Sequence, residues 1–526
     1  MVYKAFALTG RQVSVEFMPN LRFFFKFGMN SFGNIKYKAY LCRQIVILND
    51  TTMKIIGRKK EIESLERYVN SEQSEFIALY GRRRVGKTFL IRNLFGDRFA
   101  FAATGILEGE ASEQRNSFMA SLRDYGCTDY AFADWMEAFS KLRNLLETKG
   151  KNKQKPLIVF IDELPCFDTQ RSKFVHALGY FWNNWAAWQG NVKLIVCGSA
   201  TSWMTRNLLD SKGGLHNRLT QTLWLKQFCL SETEDYLKNA GFKWSRESIA
   251  QCYMVLGGIP YYLSLLDNRM GLPQNIDRLF FASDGKLKDE FHRLYGSLFK
   301  NPEAYLKVID LLANNHQGLT RKELAQKMKT NGRLTEVLDD LLQCGFISRM
   351  GVRAQKGGIK ATDGIYHLTD FYTRFYYDFC RGKTSDEQYW THKFTTPKVN
   401  TWLGLAYERL CMAHIPQIKI ALGISGLHTE YYSWRSKEHQ PAAQIDLIVE
   451  RSDNMVNLCE IKYSNGQYVL NKAEYEKIQN RQMAFIDETK CKQGIFLTLV
   501  TTSLPKQNEY SSMINSVVVL DDLFRN

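Results

Sequence analysis

Past about residue 57 the apolar positions alternate between helical spacing and short continuous runs, the signature of an α/β chain. Glu61–Val69 keeps its apolar residues on one helical face, Phe76–Tyr80 predicts a short buried strand, and Thr88–Leu94 opens a helix. Leu157–Ile161 and Lys193–Cys197 are two more near-continuous apolar runs, of the kind a parallel sheet covers on both faces. From Leu225 to about Phe299 the spacing turns helical, predicting a lid or helical subdomain.

A different unit follows. Tyr305–Leu312, Arg321–Met328 and Leu334–Leu342 predict three helices, and Phe346–Met350 and Ile365–Thr369 two strands flanking Gly357-Gly358. Three helices with a two-stranded wing make the winged form of helix-turn-helix. The third helix, with Glu336, Asp339 and Asp340, is a poor reader of DNA; Arg349, Arg353, Lys356 and Lys360 suit phosphate contact through the wing. An appendage and hinge of the preceding domain is the competing role. The aromatic run from Tyr366 to Tyr377 has helical, dense spacing, which favours interdomain core over a base-stacking platform. A last unit begins near Trp402 with a helix, then strands around Thr429–Trp434, Gln444–Glu450 and Val456–Ile461, helix Lys472–Phe485 and strand Gly494–Val500.

Composition narrows the class. The 526 residues are 45% hydrophobic and 24% charged, which excludes wholesale disorder and leaves room for several domains. The net charge of +16 makes a polyanionic partner plausible. Residues 1–52 carry seven basic and two acidic side chains without a clear period, and read as a basic leader, poorly ordered or upstream of the true start at Met53, with a nucleic-acid arm as the alternative. Eleven cysteines, an odd number with no Cys-x-x-Cys, fit reduced thiols and a cytoplasmic location. No apolar run approaches the roughly 20 residues that span a bilayer, so no membrane partner is expected.

Two constellations carry chemistry. Gly81-Arg82-Arg83-Arg84-Val85-Gly86-Lys87-Thr88 fits G-x-x-x-x-G-K-[ST] between a predicted strand and helix, with Phe89 following. Such glycines let backbone N–H groups close around phosphates at a helix N-terminus; Lys87 reaches the β- and γ-phosphates and Thr88 binds Mg²⁺. Leu157–Ile161 ends in Asp162-Glu163, placing one carboxylate for the metal and one, Glu163, to orient or deprotonate water. No Asn- or Asp-x-x-Asp guanine selector is present, so ATP is the expected nucleotide. In the last unit Asp446 ends one strand region, and Glu460 and Lys462 end the next at i and i+2, on one face. A hairpin would set Asp446 beside Glu460, with Glu408 on the preceding helix as a third carboxylate for Mg²⁺ or Mn²⁺.

From Ile56-Gly57-Arg58 to about Leu263 the chain resembles the archaeal-type branch of the AAA+/STAND P-loop ATPases. The resemblance implies a sensor position at Ser199, a finger or state-sensing arginine at Arg218, acting within the chain or on a neighbouring copy of a homo-oligomer, and a lid motif at Gly257-Gly258-Ile259-Pro260 near the base. The last unit resembles the PD-(D/E)xK nuclease superfamily, which implies metal-generated hydroxide with Lys462 positioning water or neutralising charge. From Met53 onward the architecture resembles archaeal-type ATPases bearing a C-terminal domain of unknown function. The expected organisation is leader 1–52, P-loop core 53–225, helical lid 226–300, winged helix 301–370, helical linker 371–400 and a restriction-endonuclease-like α/β domain 401–526. The expected activity is an ATP-driven switch coupled to a metal-dependent DNA nuclease. The rivals are a non-cleaving regulator and, last, a protein remodeller, for which no aromatic pore-loop motif is evident.

Overall fold

Strand Glu75–Tyr80 shows why the first sheet forms. Its alternate residues Phe76 and Ala78 enter one apolar cluster with Phe118 and Trp135, while Ile77 and Leu79 enter another with Leu90. A strand with both faces apolar is stable only between two helical layers. The computed structural model describes residues 55–526 except 151–154, 211–213, 216, 300, 330–331, 354–358, 383, 437–442 and 526, together with the backbone of 3–6 and 12–15.

Residues 1–54 form a unit of their own, described only as an antiparallel pair, β1 (Tyr3–Phe6) and β2 (Gln12–Val15), with Tyr3 opposite Val15. Four-residue strands are too short to display a period. The leader reading of residues 1–52 otherwise lies outside the described residues.

Residues 55–526 group as one unit. Its first sheet contains β3 (Glu75–Tyr80), β4 (Phe99–Thr104), β5 (Leu157–Asp162), β6 (Val192–Gly198) and β7 (Gln221–Trp224), all parallel in the order β4-β5-β6-β3-β7. The register sets Tyr80 against Gly198 and Trp224, so the carboxyl ends align along one edge, where open parallel sheets place their ligands. The edge strands β4 and β7 are additions to the sequence expectation. Helices Leu230–Asn239, Arg246–Leu256 and Glu290–Leu298 supply the helical stretch expected after Leu225.

The next helices are Glu303–Ala313, Arg321–Met328 and Leu334–Gln343, joined by an antiparallel sheet of β8 (Leu319–Thr320), β9 (Ile347–Arg353) and β10 (Ile359–Leu368) in the order β8-β10-β9. The acidic third helix is not free. Arg206, in the segment after β6, bridges its Glu336 (3.0 Å) and Asp340 (2.6 Å), and Tyr305 donates to Asp340 at 2.6 Å. The turn Gly357-Gly358 and the side chains of Arg353, Lys356 and Lys360 lie outside what is described. In the aromatic run, Phe371, Tyr372 and Phe375 are at most 2% exposed, as interdomain core should be.

The last sheet orders β11 (Thr429–Arg435), β12 (Gln444–Arg451), β13 (Met455–Lys462), β14 (Gly494–Thr501) and β15 (Ser516–Val519) in sequence; the first three are antiparallel and the rest parallel. Helix Pro397–Ala413 covers the face bearing Leu447 and Cys459, and helix Lys472–Thr489 the face bearing Ile448 and Leu458. Every cysteine among the described residues is a free thiol, and no described helix is long and apolar enough to cross a membrane.

Candidate functional site

The loop after β3 is built as a phosphate cradle. Gly86 caps helix Lys87–Phe95 at φ 91°, and Gly81 has φ 145° with Leu225 O where a Cβ would stand, so both positions require glycine. Lys87 donates to Gly81 O (2.8 Å) and Arg82 O (3.1 Å); burial lowers its pKa, opposed by Glu163. Arg58 braces the loop from below, donating to Val85 O at 3.2 Å, and its backbone N–H donates to Glu232 of the lid.

The carboxylates stand beside it. Thr88 Oγ1 donates to Asp162 Oδ2 at 2.8 Å, and burial raises the Asp162 pKa despite that bond. Because β6 lies between β5 and β3, Ser199 reaches Glu163, which accepts from its Oγ (2.8 Å) and backbone N–H (3.2 Å). A hydroxyl and a carboxylate in contact are hard oxygen donors that fit Mg²⁺, next to a buried lysine at a helix N-terminus that fits phosphates. Mg²⁺ bound there supplies charge neutralisation for the transferring phosphoryl group.

Two arginines within the loop, Arg82 and Arg84, pair with other elements. Arg82, 7% exposed, pairs with Asp370, which also caps the following helix through Thr373. Arg84 pairs with Glu290 of the lid, itself hydrogen-bonded by Tyr262, and lies over the Tyr261 ring. Arg83 is half-buried, Val85 buried and Phe89 39% exposed. Pro260 begins the short helix Pro260–Leu263, and Arg218 is exposed. None of these partners was visible in the sequence: Arg82 and Asp370 are 288 residues apart.

In the last unit β12 and β13 pair antiparallel with Leu447 opposite Cys459, so Asp446 and Glu460 are the next residues beyond that pair, at the same end of the hairpin. Glu460 accepts from Lys462 (2.8 Å) and, with both oxygens, from Arg481 at 2.7 Å. Burial alone would raise its pKa; Lys462 and Arg481 outweigh that and lower it. Asp446 accepts from Gln444 Nε2 at 2.8 Å and is raised by burial. Glu408 is pushed up to about 7, by burial first and then by Asp446. Among the described residues no group of three or more His, Cys, Asp or Glu is disposed to hold a metal ion. Asp446 and Glu408 offer oxygens to a cation, whereas Glu460 already has its cations. Arg481 escaped the sequence reading because it sits on helix Lys472–Thr489, 21 residues past its partner; no local spacing signals it.

One family model covers the stretch that carries the first site. Residues 55–266 match the family model described as an ATPase domain predominantly from Archaea. An uncharacterized protein of Methanocaldococcus jannaschii is 26% identical over 365 residues, 68% of this chain and 76% of the relative. An uncharacterized ATP-binding protein of the same organism is 49% identical over 43 residues, 8% of this chain and 73% of the relative. Among solved structures, a Walker-type ATPase of Pyrococcus abyssi matches with TM-score 0.43 and 18% identity, over 61% of this chain and 96% of its own. The P-loop, its carboxylates and the parallel sheet that carries them all lie within residues 55–266, the stretch similar to the ATPase domain found predominantly in Archaea.

Proposed function

We propose that ATP turnover at the P-loop drives a switch coupled to a metal-dependent, PD-(D/E)xK-like DNA nuclease site in residues 401–526. The observation that carries this reading is the convergence of Glu408, Asp446, Glu460 and Lys462, which reach one another electrostatically from a helix and two adjacent strands. A divalent ion bound there would generate hydroxide and stabilise the phosphorane. Lys462, paired with Glu460, would neutralise phosphate charge. In the ATPase, Lys87 holds the phosphates, Thr88 and Asp162 take the Mg²⁺, and Glu163 orients water, with Ser199 fixing its carboxylate. Exposed Arg218 suits an arginine offered to a neighbouring copy.

Coupling is supported by the two P-loop arginines. Phosphate entry that moves the loop also moves Asp370, at the junction of the winged-helix-like unit and the C-terminal unit, and Glu290 of the lid. Arg206 adds a second link, from the segment after the sensor strand to the third helix of that unit. That contact supports a transmitting rather than a DNA-reading role for the helix.

The test is incubation of the purified chain with plasmid DNA and Mg²⁺ or Mn²⁺, beside Glu460→Ala and Lys462→Ala. The reading expects cleavage lost in both variants; cleavage that survives both contradicts it. A second reading, in which the unit is a non-cleaving platform of an ATP-dependent regulator, is favoured by the double capping of Glu460. It expects no effect of divalent ions on the melting of this unit while ATP hydrolysis persists.

A further inference from the structure

A cavity of about 520 Å³ opens where the P-loop, the hairpin strand β9 and the C-terminal unit meet. Arg82, Arg349, Arg409 and Arg435 line it, and Glu408 and Asp446 of the nuclease-like cluster form part of its wall. Lys and Arg outnumber Asp and Glu two to one in the lining. The two histidines there, His316 and His367, add no charge near neutrality, because burial lowers both.

Two of the arginines are incompletely satisfied. Nε and Nη2 of Arg82, and Nε and Nη2 of Arg409, have no hydrogen-bond partner among the described residues. A buried donor left unpaired forfeits the hydrogen bond it had in water, so such groups mark the place of a missing acceptor. Burial, and next the neighbouring Arg374, pull the Arg409 guanidinium down to about 10, a strain that an anion relieves. Aromatic faces complete the site. Trp224 and Tyr431, both in the lining, are 43% and 51% exposed, and Lys226 sits 4.6 Å over the Trp224 ring. Cations for the phosphates beside exposed rings for the bases are what a single strand needs.

The volume sets the strandedness. It falls in the roughly 300–1,000 Å³ range of small-ligand sites, room for a nucleotide or two of one strand at a time and not for the paired strands of a duplex. We infer that the cavity binds a single polynucleotide strand, with phosphates on Arg82 and Arg409 and bases on Trp224 and Tyr431, and leads that strand to Glu408 and Asp446. The inference rests on the nuclease-like reading for the role of those carboxylates and adds the ligand: one strand, not a duplex. It also gives Arg82 a double duty, since the residue belongs to both the P-loop and the strand site.

The experiment is fluorescence anisotropy of the full chain in EDTA without nucleotide. The probes are labelled oligothymidylate of roughly 12 nucleotides, within the range single-strand binders cover, and a duplex of the same length. The strand should bind at least about ten-fold tighter than the duplex. Arg409→Gln should weaken it about ten-fold, and Tyr431→Ala, a rim substitution that leaves the core intact, by a similar factor. Equal or tighter duplex binding, or unchanged strand affinity in both variants, overturns the inference. Oligouridylate of the same length tells whether DNA or RNA is preferred, and selective strand binding of either supports the site. Because cleavage is silent in chelator, the two ideas fail separately. Strand binding without metal-dependent cleavage overturns the nuclease reading alone; Glu460-dependent cleavage with unaltered strand affinity in both variants overturns this inference alone.

Discussion

The two carboxylate sites of this chain end buried strands in similar ways and differ in who neutralises them. At the end of β5, Asp162 and Glu163 are held by the hydroxyls of Thr88 and Ser199, and Lys87 interacts with both carboxylates through space while its hydrogen bonds go to backbone carbonyls. At the end of β13, Glu460 is clasped by Lys462 and Arg481. A buried charge has to be compensated from somewhere. The P-loop site leaves room for an incoming cation and phosphates to do so, and is poised for its ligand. The second site compensates internally, so a divalent ion must compete with Arg481 before it can bind. The contrast teaches that matching residues at matching positions do not make equally prepared sites.

The largest expected effects lie at the first site. Lys87→Ala and Glu163→Gln should each reduce steady-state ATP hydrolysis by about 10²–10³-fold, as loss of a phosphate-stabilising cation or of a water-orienting base does. Retained turnover in either would dissolve the contrast. Next comes acid stability, set by the latch between lid and C-terminal helix. His414 Nε2 accepts from Leu230 N at 3.0 Å while Nδ1 donates to Leu410 O at 2.8 Å, which requires the neutral ring. Burial lowers its pKa to about 4. The unfolded chain therefore takes up a proton that the folded one refuses, and stability falls as pH drops through the window from about 6.5 to 4. Between pH 7.5 and pH 5 this histidine alone should cost about 2 kcal/mol, read as a fall in urea midpoint that His414→Gln flattens.

A smaller effect sharpens the comparison at the second site. Arg481→Gln should free one side of Glu460, so that Mn²⁺ raises the melting temperature more than in wild type, by about 1 kcal/mol or roughly 2–4 °C. An identical Mn²⁺ response in both proteins would show that Arg481 does not guard the site. The smallest effect belongs to Arg206→Ala. Its guanidinium is half-exposed, so its loss should cost below about 1 kcal/mol in thermal melts.

What the sequence made legible follows from range. The continuous apolar run Phe76–Tyr80 and the apolar residues within Gln444–Glu450 report local burial, and the structure has strands there. The antiparallel hairpin that brings Asp446 and Glu460 to one end was likewise within reach, because its two strands are close in sequence. The acids Glu336 and Asp340 stand out in the sequence, while their partner Arg206 lies some 130 residues away. Arg82, Arg481 and Arg409 take their importance from partners or surroundings that only the fold assembles. Edge strand β4, whose Ala102 and Ala103 dilute its apolar run, was weak for a different cause: an edge is buried less uniformly.

The most direct test of ATP-coupled cleavage compares wild type with Lys87→Ala on plasmid and linear DNA, with Mg²⁺ or Mn²⁺, with and without ATP. The account predicts that ATP changes the wild-type cleavage rate and leaves that of Lys87→Ala unaffected. Cleavage indifferent to ATP in wild type, or equally responsive in Lys87→Ala, would contradict it.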